Sequence, residues 1–141
     1  MRCRIILFVL FFVHSFVNIA QTDMNVYTVI AGPNSDRSLS TKALIDIYGG
    51  DRNRWENGTS IVVVMPSKAH PDAEKFAKII FGENFDSMRR YWLGLVFQGR
   101  NAAPIYLDSD KEILEFVKET KGSIAVLIDS DYNGKLKLTK D

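Results

Sequence analysis

The sequence predicts an α/β fold, with a single compact domain in which a mixed sheet carries helices on its faces. Apolar runs of strand length alternate with segments whose apolar residues recur at helical spacing. The runs are apolar without interruption, which is typical of strands that are buried on both faces. The chain of 141 residues shows no internal repeat and no linker, so its length fits one domain.

The first strand and helix are predicted before a polar excursion. Residues 26–31 form a β-branched, apolar run, which predicts a buried strand. Ser40 is placed to cap a helix that the pair Gly49-Gly50 ends. Residues 51–60 are polar and contain Trp55 before an Asn-Gly turn. We expect Trp55 to be partly exposed, at a contact surface.

Two amphipathic helices follow the second strand, residues 61–65. Pro71 suits the first position of one helix, and Gly82 suits its end. The next helix places Trp92 on its apolar stripe, so Trp92 is predicted to lie in the core. Residues 97–107 are predicted to be a looser stretch.

The last third of the chain predicts one more helix and two more strands. Ser109 and Glu112 have the spacing of a capping box, and Gly122 marks the stop. Residues 124–128 predict the third strand, and residues 136–138 predict a fourth. The intervening residues 129–134 read D-S-D-Y-N-G, the first half of a calcium loop. Lys140 stands where that loop needs a bidentate acid, so we predict a plain turn.

The first twenty residues have the pattern of a secretory signal peptide. Arg2 and Arg4 form a basic head, residues 5–13 are apolar, and Ala20 is a small residue at the expected cleavage site. The apolar centre is shorter than the roughly 20 residues that a membrane span needs. We therefore expect residues 1–20 to be removed and residues 21–141 to be exported to the periplasm; a retained anchor is the alternative.

Composition argues against an enzyme. The only cysteine, Cys3, and one of the two histidines lie in the N-terminal segment, which leaves His70 alone in the exported part. That part has no thiolate for zinc, no cysteine nucleophile and no set of histidines for a metal. Without Arg2 and Arg4 the chain carries 16 basic and 17 acidic side chains, which does not suit a nucleic-acid partner. We expect no enzymatic activity, no cofactor and no metal site.

A candidate anion site lies between the second strand and the following helix. Ser67 offers a hydroxyl, Lys68 a positive charge and His70 a proton-dependent donor. Free amide groups and the helix dipole favour anions at such a point. The polar loop with Asn34 and Ser35 would contribute further donors. The alternative is that these are solvated loop residues and that Ser67 or His70 caps the helix.

Motifs along nearly the whole exported part carry a resemblance to a known family. In chain order they are Leu39-Ser40, Asp46-Ile47-Tyr48-Gly49-Gly50, Trp55-Glu56-Asn57-Gly58-Thr59, Phe76, Phe81-Gly82, Tyr91-Trp92, Leu95-Val96-Phe97-Gln98-Gly99, Ala103-Pro104, Leu107-Asp108-Ser109 and Lys121-Gly122-Ser123-Ile124. This order resembles small periplasmic phosphate ABC transporter substrate-binding-like proteins. The resemblance implies one lobe of a type-2 periplasmic binding protein. It also implies binding of phosphate or another small oxyanion for uptake through a membrane transporter.

The sequence departs from the family where phosphate would bind. Full-length relatives usually carry an arginine and a Ser-Gly-Thr stretch where this chain has Pro66 and His70-Pro71-Asp72. The tyrosine of the family's late strand is replaced by Val126. These departures keep an alternative open. In that alternative the chain is a non-catalytic envelope interaction module, or an accessory to an envelope sensor, that binds no small ligand.

Overall fold

The computed structural model describes residues 27–129 and the backbone of a strand at residues 137–139. The elements in chain order are β1 (Tyr27–Ala31), β2 (Ser38–Ser40), α1 (Thr41–Tyr48), β3 (Val62–Pro66), α2 (Ala73–Phe81), α3 (Phe85–Phe97), β4 (Ile105–Leu107), α4 (Asp110–Glu119), β5 (Ser123–Ile128) and β6 (Lys137–Thr139). The predicted signal peptide and most of the 129–134 turn lie outside the described residues. No helix within the described residues is both long enough and apolar enough to cross a bilayer.

The main sheet has four strands in the order β1-β5-β3-β4. Strands β5, β3 and β4 are parallel, whereas β1 pairs with β5 in the antiparallel sense. Strand β6, which matches the predicted fourth strand, pairs in parallel with β2 in a separate two-stranded sheet. The predicted mixed sheet of an α/β domain is therefore confirmed.

Helices bury both faces of the main sheet. In β5 the side chains of Ile124, Val126 and Ile128 pack with α1, α2 and α3, while Ala125 and Leu127 pack with α4. Successive side chains of a strand point to opposite faces, so covering both faces requires apolar residues at every position. This explains why the strand reads as one unbroken apolar run.

The predicted helix caps are confirmed at two helices and corrected at a third. Ser40 Oγ accepts a hydrogen bond from the Ala43 amide over 3.0 Å at the start of α1. Ser109 Oγ accepts one from the Glu112 amide over 3.2 Å at the start of α4. The prediction that Pro71 occupies the first helical position is wrong, because α2 begins at Ala73 after a turn. His70 stabilises this turn, because its carbonyl accepts a hydrogen bond from the Ala73 amide and its ring Nδ1 accepts one from the Asp72 amide.

Trp55 is buried, contrary to the prediction of a partly exposed contact residue. Only 2% of Trp55 is exposed, and its indole Nε1 donates a hydrogen bond to the Gly122 carbonyl over 2.9 Å. The Asn57-Gly58 turn lets Ser60 pair with Arg54, which folds the hairpin back over the core. The burial of Trp55 could not be predicted from its neighbours, because these are polar residues on the exposed side of the same hairpin.

Candidate functional site

A concave surface lined by Leu107, Asp108 and Glu112 lies at the carboxyl edge of the sheet, beside the end of β4. We call this surface, together with the residues that follow β3, the crevice. Strands β3 and β4 are adjacent and parallel, and their last residues Pro66 and Leu107 are paired. The chain leaves β3 toward α2 on one face of the sheet, but leaves β4 toward α4 on the opposite face. Ligands of α/β proteins bind at such a point, where two neighbouring strands send their connections in opposite directions. The predicted residues Ser67, Lys68 and His70 lie there.

Each of these three side chains is bonded to a carboxylate. The Ser67 hydroxyl donates a hydrogen bond to Asp108, which follows β4. Lys68 Nζ lies 3.3 Å from Asp86 Oδ1. The ring Nε2 of His70 lies 3.0 Å from Oδ1 of Asp110, in the first turn of α4. The structure therefore brings the predicted residues together, but with acidic partners that the sequence analysis had not assigned.

The hydrogen bonds of His70 fix the form of its ring. The side chain is 4% exposed, and Nδ1 accepts a hydrogen bond from the Asp72 amide over 3.0 Å. A neutral imidazole has one N–H, so the proton is on Nε2 and is donated to Asp110. Both ring nitrogens are thus engaged within the protein. Ser67 and His70 belong to separate pairs, so His70 is not placed to take a proton from the Ser67 hydroxyl.

His70 and two neighbouring carboxylates form a cluster of possible metal ligands. His70, Asp72 and Asp110 offer ligand atoms that all lie within 4.8 Å of one another. A metal would need a lone pair on a ring nitrogen of His70. The lone pair of Nδ1 already accepts the Asp72 amide, and Nε2 carries the proton given to Asp110. This donor set fits a hydrogen-bonded pair, and we assign no metal to it.

The electrostatic field of the crevice is unfavourable for an anion. Glu112 accepts a hydrogen bond from the Asp108 amide over 2.9 Å, so a carboxylate of the protein already holds an amide at the start of α4. Five carboxylates border the crevice: Asp72, Asp86, Asp108, Asp110 and Glu112. Farther along the same edge, the hydrogen bond with Asp129 raises the pKa of Lys75, and the two side chains lie 2.6 Å apart. An oxyanion would compete with these carboxylates for each donor.

Asn34 and Ser35 lie at the opposite edge of the sheet. Because β1 is antiparallel, its last residue Ala31 pairs with Ile124 at the start of β5. The Asn34 carbonyl accepts a hydrogen bond from Asn57 Nδ2 over 2.9 Å, and the Ser35 hydroxyl donates to a main-chain carbonyl of the same loop. The structure therefore does not bring these two residues to the crevice. The strand direction that separates them cannot be read from residue spacing.

A second concave surface lies between α1 and the α2–α3 pair. It encloses about 500 Å³. The sequence pattern does not indicate this groove, because Tyr48, Ile80, Met88 and Tyr91 belong to apolar helical stripes that predict core positions. Its walls include Ile45, Tyr48, Phe81, Met88 and Tyr91, and Glu83 also lines it. Ile45 is 61% exposed and Tyr91 is 47% exposed, so the groove is open to solvent.

Comparisons with known proteins do not identify the chain. Neither the protein-family models nor the curated proteins contain a match to it. The fold and the geometry of these two concave surfaces are thus the basis for a functional proposal.

Proposed function

We propose that this protein is an exported, non-catalytic interaction module whose α1–α3 layer binds another protein of the cell envelope. One observation carries the proposal. The large hydrophobic side chains that are exposed in the described part of the chain all lie on α1, α2 and α3: Ile45, Ile79, Tyr91, Leu93 and Phe97.

The position of these side chains is informative because all five belong to the helices that cover one face of the main sheet. A single exposed apolar residue is ordinary on a soluble surface, whereas an apolar group confined to one layer indicates a contact surface. Phe97 is 86% exposed, although it closes a helix whose opposite face is buried in the core. Helix α4, which covers the other face of the sheet, has no residue of this kind. We infer that the α1–α3 layer is covered in the working assembly.

Two further features support this proposal. The pattern of residues 1–20 favours export, which places the partner in the envelope. The donors of the crevice are already bonded to carboxylates, which favours an activity that does not depend on a free anion.

Site-specific crosslinking in cells of the source organism tests the proposal. A photocrosslinking amino acid placed at Phe97 should give a defined adduct with one envelope protein. The same amino acid at Glu115, which is exposed on α4, is the matched control and should give none. Equal adducts at both positions, or none at Phe97, would overturn the proposal.

Oxyanion binding is the second candidate, and one observation favours it. Two helices of eight residues or more, α2 and α4, begin at the crevice that holds Ser67. Their dipoles attract negative charge at that point. This arrangement fits the solute-binding role that the family resemblance implies, in which phosphate is delivered to a membrane transporter. Calorimetric titration of the wild-type protein with phosphate tests this second candidate. Heat of binding would support oxyanion binding, and the absence of heat would reject oxyanion binding by the wild-type protein.

A further inference from the structure

We propose that the groove between α1 and the α2–α3 pair binds a small organic ammonium ion with an apolar body. The groove volume of about 500 Å³ lies within the range of roughly 300–1,000 Å³ that is typical of small-molecule sites. The groove is separate from the crevice, but it shares Ile45 and Tyr91 with the contact surface proposed above. Its ligand is therefore tested on the isolated protein, in which no partner covers the α1–α3 layer.

Aromatic rings form the wall that would hold the apolar body. The ring centroids of Tyr48 and Phe81 are 6.5 Å apart, with the rings nearly perpendicular at 86°. Phe81 and Tyr91 are also 6.5 Å apart, tilted at 59°. The Tyr91 hydroxyl donates a hydrogen bond to the Gly49 carbonyl over 2.5 Å. That bond holds the Tyr91 ring at the mouth of the groove although the residue is half exposed.

The charge of the groove favours a cation. Glu83 is the charged residue on its wall, and it follows the end of α2 at Phe81. The C-terminal end of α2 carries partial negative charge, and the N-terminal end of α3, which begins at Phe85, carries partial positive charge. These two partial charges oppose each other beside Glu83, so the carboxylate is the charge that favours a cation. Two cations lie nearby: Lys78 in the last turn of α2, and Arg90, which donates to Ser87 Oγ over 3.1 Å at the rim. Neither of them is a wall residue of the groove, whereas Glu83 is.

These observations select the ligand chemistry. An ammonium group would pair with Glu83 and lie against the electron-rich faces of Phe81 and Tyr91, which attract cations. The apolar body would contact Ile45 and Met88. A neutral compound of the same shape would gain only the apolar contact, and a carboxylate would be repelled by Glu83.

Three probes of similar shape test the proposal: 2-phenylethylammonium, 2-phenylethanol and 3-phenylpropanoate. Chemical-shift titration of the protein should show the ammonium binding about tenfold tighter than the alcohol, as a cation–π contact and one exposed ion pair together allow. The propanoate should bind most weakly. Equal affinities for the three probes, or no binding of the ammonium at millimolar concentration, would overturn the proposal.

Variants locate the binding at the groove. Glu83→Gln should reduce the preference for the ammonium over the alcohol to about threefold, the part that the cation–π contact supplies. Glu115→Gln on α4 should leave the preference unchanged. Ile45→Trp should fill the groove and weaken the ammonium and the alcohol alike. Ile45 is 61% exposed, so this change does not disturb the core. A preference of the same size in Glu83→Gln as in the wild type would contradict the proposal.

Discussion

The indole Nε1 of Trp92 donates a hydrogen bond to the main-chain carbonyl of Tyr48 over 3.1 Å. This bond ties the middle of α3 to the last turn of α1. The final carbonyls of a helix have no partner within the helix and need donors from elsewhere. The amides of residues 49–52 bond the carbonyls of residues 45–47. Helix α3 supplies the donors for the next two carbonyls: Trp92 bonds Tyr48, and Tyr91 bonds Gly49.

Trp92→Phe should separate the hydrogen bond from the packing. The phenyl ring fills much of the same space, but it leaves the buried Tyr48 carbonyl without the indole donor. We expect a loss of about 1–3 kcal/mol in the free energy of unfolding. Trp92→Ala also creates a cavity and should cost about 3–5 kcal/mol. Urea denaturation measures both losses.

The matched control for this pair is Leu93→Ala, one residue along the same helix. Leu93 is 46% exposed, so its truncation should change stability by no more than about 0.5 kcal/mol. A Trp92→Phe variant as stable as the wild type would show that the bond to Tyr48 contributes nothing.

Tyr48 predicts how stability depends on alkaline pH. Its hydroxyl donates to the Val64 carbonyl over 3.2 Å, and burial raises the pKa of Tyr48 above its ordinary value of 10.0. The unfolded chain loses this proton near its ordinary pKa while the folded protein keeps it. The contribution of the Tyr48 hydroxyl to the free energy of unfolding is therefore complete below pH 10.0, and it declines as the pH rises above that value.

Tyr48→Phe removes the titrating group and keeps most of the ring packing. We expect the variant to be about 1 kcal/mol less stable than the wild type at neutral pH, because the hydrogen bond is lost. The difference should narrow as the pH rises through about 10 to about 11, because only the wild type loses this contribution. Urea denaturation at a series of pH values measures the difference. Parallel pH curves for the two proteins would show that Tyr48 ionises normally in the folded state.

Gly32 is predicted to be intolerant of any side chain. A Cβ at Gly32 would lie 2.2 Å from the Thr120 carbonyl oxygen and 2.4 Å from the Val117 carbonyl oxygen. Both atoms belong to the backbone at the end of α4, so neither can move without displacing the helix. Gly32→Ala should therefore lower stability by about 1–3 kcal/mol or more.

Gly94 is the control for this substitution. It lies inside α3, and a Cβ there would meet nothing within 4 Å. Gly94→Ala should raise stability by about 0.5–1 kcal/mol, because alanine loses less backbone entropy in a helix. The unfolding temperature should fall in Gly32→Ala and rise in Gly94→Ala. A rise in both variants would show that the backbone around Gly32 accommodates a Cβ at little cost in free energy.

The features predicted correctly from the sequence are those that depend on interactions between residues close together in the chain. The caps at Ser40 and Ser109 and the left-handed residue Gly82 depend on neighbours within a few residues. The unbroken apolar run of β5 required burial on both faces. Strands β2 and β4 were not predicted. Each contains three residues, too few to show the alternation of apolar and polar residues that indicates a strand.

The candidate site was predicted only in part, because pairing across the sheet is not local. The position of Ser67 and His70 after β3 followed from the apolar run and the helical spacing beyond it. Their partners Asp108 and Asp110 are about 40 residues away along the chain. They come close only because β3 pairs with β4. Without this register, the positive and polar residues were interpreted as an anion site, and the acidic partners were overlooked.

These acidic partners allow a direct test of oxyanion binding. The Ser67 hydroxyl and the His70 Nε2–H are the donors that an oxyanion would need, and they are held by Asp108 and Asp110. Asparagine has the size of aspartate and an oxygen that still accepts a hydrogen bond, but it carries no charge. The double change Asp108→Asn, Asp110→Asn therefore removes the repulsion and leaves each donor in a weaker, neutral hydrogen bond that an oxyanion can displace. It also removes negative charge from the start of α4, at a cost of about 0.3–1 kcal/mol in stability for each residue.

We expect the double variant to bind phosphate several-fold more tightly than the wild type in calorimetric titrations. Adding Lys68→Ala should reverse the gain, because Lys68 is a cation of the crevice. Both effects should shrink in high salt, where exposed charges are screened. Asp51→Asn, Glu56→Gln makes the same change of net charge at two exposed positions that do not border the crevice, and it should leave phosphate binding unaffected. A gain in this control would assign the effect to net charge alone, and no heat with either double variant would reject the crevice as an oxyanion site.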